Sequence, residues 1–339
     1  MRTRTRLRTV LAATAGAVVL AAGPAAADAP GPTSYVSTIT STPDGLEAEV
    51  IGGDSYLTLR VPDGTEVVVP GYDEDELYLR FNTDGTVEVN TNAVAFYFSQ
   101  GRYGAEVPPD LQPGSVPPTW VLVAEDGAYS WHDHRIHWMS PTPPDFIDPG
   151  ATEVQPVYDW EIPLLVDGEP VAITGDLAYL PAASPVPGLL ALLVTAGAAV
   201  ALLRARPGLG GPVALAAGVL TLAAISTSLF GLPPGVDGNT VLALPAAAGA
   251  LLALIGLRGG TARSRSQLPV AAALGTVGTG VLTLGWLSAP VLPTSIDPAV
   301  VRPLLGAGVG LALAVLVGAA LTRTAGAQDQ GGVGTAPTT

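Results

Sequence analysis

All three histidines of this 339-residue chain, His132, His134 and His137, lie in one short stretch, and Met139 follows two residues later. The only other methionine is Met1. Imidazole suits copper, zinc and nickel, and a thioether favours Cu(I). The candidate metal ligands are therefore His132, His134, His137 and Met139, with copper the first cofactor expected. Zinc is the alternative, held by three imidazoles with an open fourth position. The chain has no cysteine, so thiolate ligands and disulfides are excluded.

The stretch Trp131–Met139 reads as a strand, straight or bent near its middle. On a regular strand, side chains alternate between faces. His132 and His134 then share one face with Ile136 and Trp138, and Asp133, Arg135, His137 and Met139 share the other. One site with four ligands requires a bend. Asp133 and Arg135, two apart, are placed to pair. Trp131, Asp133, Arg135 and Trp138, with Arg80 and Arg102 from elsewhere, are the expected supporting residues. The same residue types can build a polar seam that only specifies the fold, since imidazoles also satisfy buried carbonyls. Both readings stand at this point.

No catalytic residue is expected. The sequence has neither G-x-S-x-G nor H-E-x-x-H. Stacking of tryptophans on a sugar would suit a hydrolase of envelope polymers, which ranks third. An enzymatic role is left open, with a non-enzymatic one favoured.

The segment that must position these residues, 28–184, reads as one all-β domain, an Ig-like sandwich or a barrel. Short β-branched or alternating runs include Tyr35–Ser41, Leu46–Ile51, Tyr56–Val61, Thr65–Val69, Glu76–Phe81, Thr86–Asn90, Ala93–Phe98, Trp120–Ala124, Ala128–Met139, Val157–Val166, Pro170–Thr174 and Leu177–Leu180. Asp-Gly pairs at 44–45, 63–64, 84–85, 126–127 and 167–168 supply the turns. Proline-rich stretches, 107–118 and 140–149, flank the Trp120 and histidine segments and read as ordered covers. The domain holds 26 of the chain's 29 acidic residues against Arg60, Arg80, Arg102 and Arg135. A surface this acidic excludes nucleic-acid binding, and its few arginines are expected to balance carboxylates.

Arginines at 2, 4, 6 and 8, an apolar run and Ala25-Ala26-Ala27 read as a signal peptide over 1–27. That places the β domain outside the cytoplasm. Residues 185–323 read as an all-α transmembrane bundle of about five helices, near 186–203, 212–230, 240–257, 268–287 and 303–321. Arg204, Arg206, Arg258, Arg263, Arg265 and Arg323 fall on alternate ends, so the positive-inside rule puts the C-terminus in the cytoplasm. Trp286 is expected at the outer interface. The helices lack Asp, Glu, His and Lys, which argues for an anchor rather than a pump or channel. Gly306 and Gly310 form a G-x-x-x-G for close helix packing. Residues 324–339 read as a disordered cytoplasmic tail. The expected partners are the lipid bilayer and other envelope or metal-handling membrane proteins.

Gly71-Tyr72, Tyr78 to Asn90, Arg102-Tyr103-Gly104 and above all Trp131 to Met139 (WHDHRIHWM) resemble an uncharacterised bacterial membrane-anchored family. Its members have a signal peptide, a β ectodomain with a WHDHRxHWM motif and C-terminal transmembrane helices. The resemblance implies that layout and no activity. Thr91 to Gln100 departs from the family pattern. The layout is also similar to copper-resistance proteins that join a β domain to a membrane bundle, without their N-terminal histidine or methionine-rich loop.

Overall fold

The structure is a computed structural model. It describes residues 29–331 except 74–75, 104–105, 231, 234 and 260, and leaves aside the side chains of 262–263 and 323–331. The expected signal peptide and residues 332–339 lie outside the described residues. An antiparallel β region comes first and helices follow.

The strands are β1 (Tyr35–Ser41), β2 (Glu47–Ile51), β3 (Tyr56–Arg60), β4 (Val67–Pro70), β5 (Leu77–Phe81), β6 (Val87–Asn90), β7 (Trp120–Ala124), β8 (Ala128–Trp131), β9 (Gln155–Val166) and β10 (Glu169–Tyr179). Seven form one sheet in the order β1-β10-β9-β4-β5-β6-β7, and β2-β3-β8 form a second. Leu57, Leu59 and Trp131 of the small sheet share a core with Val67, Leu79, Phe81, Ile162, Leu164 and Ile173 of the large one. Alternation explains this: Val67, Val69, Leu79, Phe81, Val87 and Val89 are every second residue of their strands, and all are buried.

The Asp-Gly turns fall where the sequence places them. At β9–β10, Val166 pairs with Glu169 across Asp167 (φ 50°) and Gly168 (φ 84°), a two-residue turn whose twist suits a hairpin. The runs expected as two strands, Pro170–Thr174 and Leu177–Leu180, are one strand. Gly175 continues it opposite Trp160, whose ring occupies the place a Cβ would take.

Ala93–Phe98 is not the expected strand. Val94–Phe98 forms a short helix, α1. Its first amides are bound by a distant acid: Val94 N donates to Glu76 Oε1 at 2.5 Å and Ala95 N to Oε2 at 3.3 Å. Buried Glu76 thus satisfies amides that a one-turn helix leaves unpaired.

The long helices are α2 (Val186–Ala205), α3 (Gly210–Ile225), α4 (Thr240–Arg258), α5 (Ala262–Leu282) and α6 (Pro298–Gly331). Among the described residues, four segments are long and apolar enough to cross a membrane: Val186–Ala205, Pro207–Ser228, Thr240–Arg258 and Pro298–Thr322. α5 is not among them; it opens on the polar run ARSRSQ. α6 begins five residues before the expected 303, which takes Arg302 into the helix, and it runs on through Gly331. Glycines let helices touch. A Cβ on Gly306 would strike the Gly188 carbonyl of α2, and one on Gly310 the Leu192 carbonyl. Thr279 of α5 bridges α4: it donates to Leu242 O at 2.9 Å and accepts from Ala246 N at 3.0 Å. Trp286 is a buried packing residue with Ile225, Leu292, Val301 and Leu305 rather than a side chain at an outer interface. Its carbonyl accepts from Arg302 Nε at 3.2 Å.

The β region sits on the loops α3–α4 and α5–α6. Thr33 and Val291 exchange backbone hydrogen bonds of 3.2 Å, Asn239 Nδ2 donates to Pro30 O at 3.0 Å, and Ala183 N donates to Ser288 O at 2.8 Å.

Candidate metal centre

The strand β8 stops at Trp131, and the histidine stretch is a compact loop rather than an extended strand. Asp133 makes the turn. Its Oδ1 accepts from Arg135 N at 3.0 Å, and its carbonyl accepts from Ile136 N at 3.2 Å. An aspartate bonded to the amide two residues on is a turn former that competes with strand. Ile136, fully buried in the core, pins the loop inward; burial of such a side chain contributes about 1.5–3 kcal/mol. The alternation of faces is lost, and the three imidazoles gather on one side.

Ring centroids lie 4.4 Å apart for His132 and His137, 5.0 Å for His134 and His137, and 5.6 Å for His132 and His134. One ligand nitrogen from each falls within 4.8 Å of those of the other two. Bonds of about 2.0–2.1 Å in a tetrahedral shell bring nitrogens to about 3.4 Å of one another, so small side-chain rotations close the site on an ion.

Each ring is held from a different element. β3 pairs with β8 so that Leu57 faces Trp131, which sets Ser55 beside His132; the Ser55 carbonyl bonds His132 Nδ1. Gly101, beyond α1, bonds His134 Nε2 through its carbonyl at 3.2 Å, and Tyr72 and Phe98 flank that ring. Tyr72 Oη also accepts from His134 N at 3.0 Å. From β9, Tyr158 Oη donates to the His137 carbonyl at 2.7 Å. The cluster therefore lies where the two sheets and α1 meet.

Exposure separates the ligand candidates. His137 is 0 % exposed and His132 3 %, His134 is half-buried, and Met139 is 43 % exposed. Among the described residues, His137 has both ring nitrogens buried without a partner, and His132 Nε2 is in the same state. A buried polar atom left unpaired costs about 1–3 kcal/mol. Burial lowers all three imidazole pKa values, and the neighbouring histidines lower those of His132 and His137 further. His132 falls to about 4. At neutral pH the rings are uncharged, the form that binds metal.

Around them lies a fully paired set. Arg135 donates to Asp133 through Nε at 2.8 Å and through Nη2 at 2.7 Å, and Trp131 Nε1 donates to Asp133 Oδ2 at 2.8 Å. Burial pushes the Asp133 carboxyl up, but Arg135 and these hydrogen bonds more than offset it, and the net shift is down. Arg135 also lies over the Tyr72 ring, 5.2 Å from its centroid. Arg102 forms a second two-pronged pair, with buried Asp54, at 2.9 and 2.5 Å. Trp138 is half-buried, and its Nε1 donates to Thr142 O at 2.7 Å. Arg80 pairs with Glu88 at 2.5 Å and covers Trp120 at 4.4 Å, and no contact among the described residues joins it to the imidazoles. The three arginines thus balance carboxylates, as the acidic composition implies.

Sequence reasoning missed Asp54, Ser55, Gly101, Phe98 and Tyr158. Two act through backbone carbonyls, which no residue type marks. Buried Asp54 follows Gly52-Gly53, a turn signal with nothing to advertise the acid behind it.

No protein-family model, no curated protein and no solved structure matches this chain, so the site is read from its own geometry. The buried His132/His134/His137 cluster could hold a metal ion, on a β region joined to helices able to cross a membrane.

Proposed function

We propose that this is a membrane-anchored protein whose β domain, residues 28–184, lies outside the cytoplasm and binds one metal ion, copper, through His132, His134 and His137. The observation that carries the reading is the state of His137: a buried imidazole with two unpartnered nitrogens, facing two other neutral imidazoles. An ion supplies a partner for the orphaned nitrogens of His132 and His137, with His134 as the third ligand. The carbonyls of Ser55 and Gly101 act as outer supports that fix ring orientation, as carbonyls do around metal-bound histidines. Met139, two residues past His137 and exposed, favours copper over zinc as a thioether for Cu(I).

In this reading residues 1–27 are a signal peptide, residues 185–323 cross the membrane five times, and the tail is cytoplasmic. Support comes from the loops that carry the β region, at the α3–α4 and α5–α6 turns. The Arg204, Arg206, Arg258 and Arg265 ends fall at the other turns, which suits the positive-inside rule. α5 then has to join opposite ends of the bundle although its first turns are polar. The helices anchor the domain, and the protein holds or passes the ion to another envelope or metal-handling protein.

A fold-specifying seam is the second reading. It is favoured by the two carbonyl bonds of His132 and His134. Titration of the purified full chain with Cu(I), Cu(II) and Zn(II) separates the two. The metal reading predicts one ion per chain, bound more tightly than about 10 μM, and lost in His132→Ala/His137→Ala. Equal uptake by that variant, or none by the wild type, leaves the seam.

A further inference from the structure

The two ends of the helical bundle differ in charge. The loops that carry the β region hold Asp237 and Asp297. The opposite end, where α2 gives way to α3 and α4 to α5, carries Arg204, Arg206, Arg258 and Arg265. Of the acidic residues after 184, only Asp329 lies on that side. α6 carries it seven residues past Thr322, about 10 Å further along the helix axis.

At this cationic end a cavity of about 430 Å³ lies between α2, α5 and α6. Both flanking helices pack on α6: a Cβ on Gly318 would touch Leu203 of α2, and one on Gly280 of α5 would strike Val309. The lining is graded along the helix axes. α6 supplies Val315, then Ala319, then Thr322, each about a turn nearer the end. α5 supplies Val270 on the inner side and Ser266 and Arg265 at the edge. Leu203, level with Gly318, adds an apolar side. Among the described residues no acidic side chain lines the cavity. A cationic edge thus gives way inward, over about 10 Å, to an apolar floor parallel to the helices. A free anion would use only the edge of such a site. An amphiphile with an anionic head would use all of it. The apolar segment Pro298–Thr322 is about 37 Å long, enough to cross about 30 Å of hydrocarbon, and that puts Thr322 and Arg265 at the level of lipid phosphates.

We infer that this cavity seats one anionic phospholipid, its phosphate at Arg265 and the first part of one acyl chain along Val270, Leu203 and Val315. Guanidinium grips phosphate with paired donors, and basic pockets between membrane helices select anionic headgroups over zwitterionic ones. The inference rests on the membrane reading of the helices and is independent of the metal reading.

The test is native mass spectrometry of the full chain in a neutral detergent, titrated with phosphatidylglycerol, with phosphatidylcholine of the same chains and with glycerol phosphate. The expected result is one phosphatidylglycerol retained per chain, at least tenfold more tightly than either alternative. Arg265→Gln should weaken it about tenfold, the loss of a charged hydrogen bond. Arg204→Gln, the same charge change outside the cavity, should alter it less than twofold. Val270→Trp and Ala319→Trp fill the cavity from α5 and α6 and should each abolish retention, with unchanged thermal unfolding in lipid-free detergent showing that the fold is kept. Equal binding of the two lipids, equal binding of glycerol phosphate, equal losses in the two arginine variants or retention that survives both tryptophans overturns the inference. A dimer that the tryptophans dissolve does so too, and assigns the cavity to a second copy of the chain. A chain that leaves the membrane fraction without detergent removes the membrane reading itself, and this inference with it.

Discussion

Two buried polar groups sit within five residues of each other and are built on opposite principles. In the Asp133 clasp every oxygen of the carboxylate is used: Arg135 takes both through its guanidinium, and Trp131 Nε1 and the Arg135 amide add one bond each. Beside it the imidazole cluster has three buried nitrogens with no hydrogen-bond partner among the described residues. Both are buried, so both pay desolvation; the clasp recovers it on every carboxylate oxygen, the cluster only at His132 Nδ1 and His134 Nε2. A satisfied network needs nothing further and shapes the loop. An unsatisfied one, beside it, is a cluster that could hold a metal ion.

The largest effect should come from breaking the clasp. Asp133→Ala removes a buried carboxylate and leaves the half-buried Arg135 charge without its partner, which should cost about 3 kcal/mol in chemical denaturation. Metal uptake should fall with it, since the turn goes too. Retention of both stability and uptake would erase the contrast.

Acid should act on the imidazoles and spare the clasp. Unfolded histidines titrate near 6.5, whereas His132 in the fold titrates at about 4 and those of His134 and His137 are also lowered. Below about pH 6.5 the unfolded chain takes up protons that the native cluster refuses, so stability falls with pH. For His132 alone the loss should reach about 3 kcal/mol by pH 4. The carboxyl of Asp133 is lowered and stays charged over that window. Denaturation of the metal-free protein from pH 7 to 4 should show the decline, and His132→Leu should make it shallower, leaving the part due to His134 and His137.

Adding the ion should reverse the deficit. At a free concentration a hundredfold above the dissociation constant, stability rises by about 2.7 kcal/mol. The wild type should show the matching rise in melting temperature and His132→Ala/His137→Ala should not.

A smaller effect of unusual sign follows from His137. An apolar side chain there removes two unpaired buried nitrogens, so His137→Leu should leave the metal-free protein unchanged or more stable by about 1 kcal/mol, and abolish metal uptake. A loss of several kcal/mol would mean that His137 already has structural work. The smallest change is expected for Met139→Leu: weaker Cu(I) binding with Zn(II) binding unaltered, read by competition titration.

Much of the β region was legible because its signals are local. Alternation placed β1, β3, β5 and β6, and Asp-Gly pairs placed their turns. The candidate ligands stood out because histidine and methionine are so rare here. What failed was long-range. Val94–Phe98 became a helix because Glu76 from another segment binds its first amides. β10 runs unbroken because Trp160 covers Gly175. The Trp131–Met139 stretch is a loop rather than the expected strand although Asp133 carries a turn signal, because the two-residue spacing to Arg135 fits a same-face pair on a strand equally well. The turn makes that same pair and abolishes the strand. The small sheet's Ser55 and β9's Tyr158 were invisible, since their contribution is position rather than type.

The most direct test of the contrast is X-ray absorption at the copper edge of the full-length protein loaded with one equivalent of ion. Three imidazole nitrogens should surround the copper, and His132→Ala/His137→Ala should lose that signature along with the bound ion. A shell of oxygens alone, or the same imidazole spectrum in the double variant, would contradict a metal centre at His132, His134 and His137.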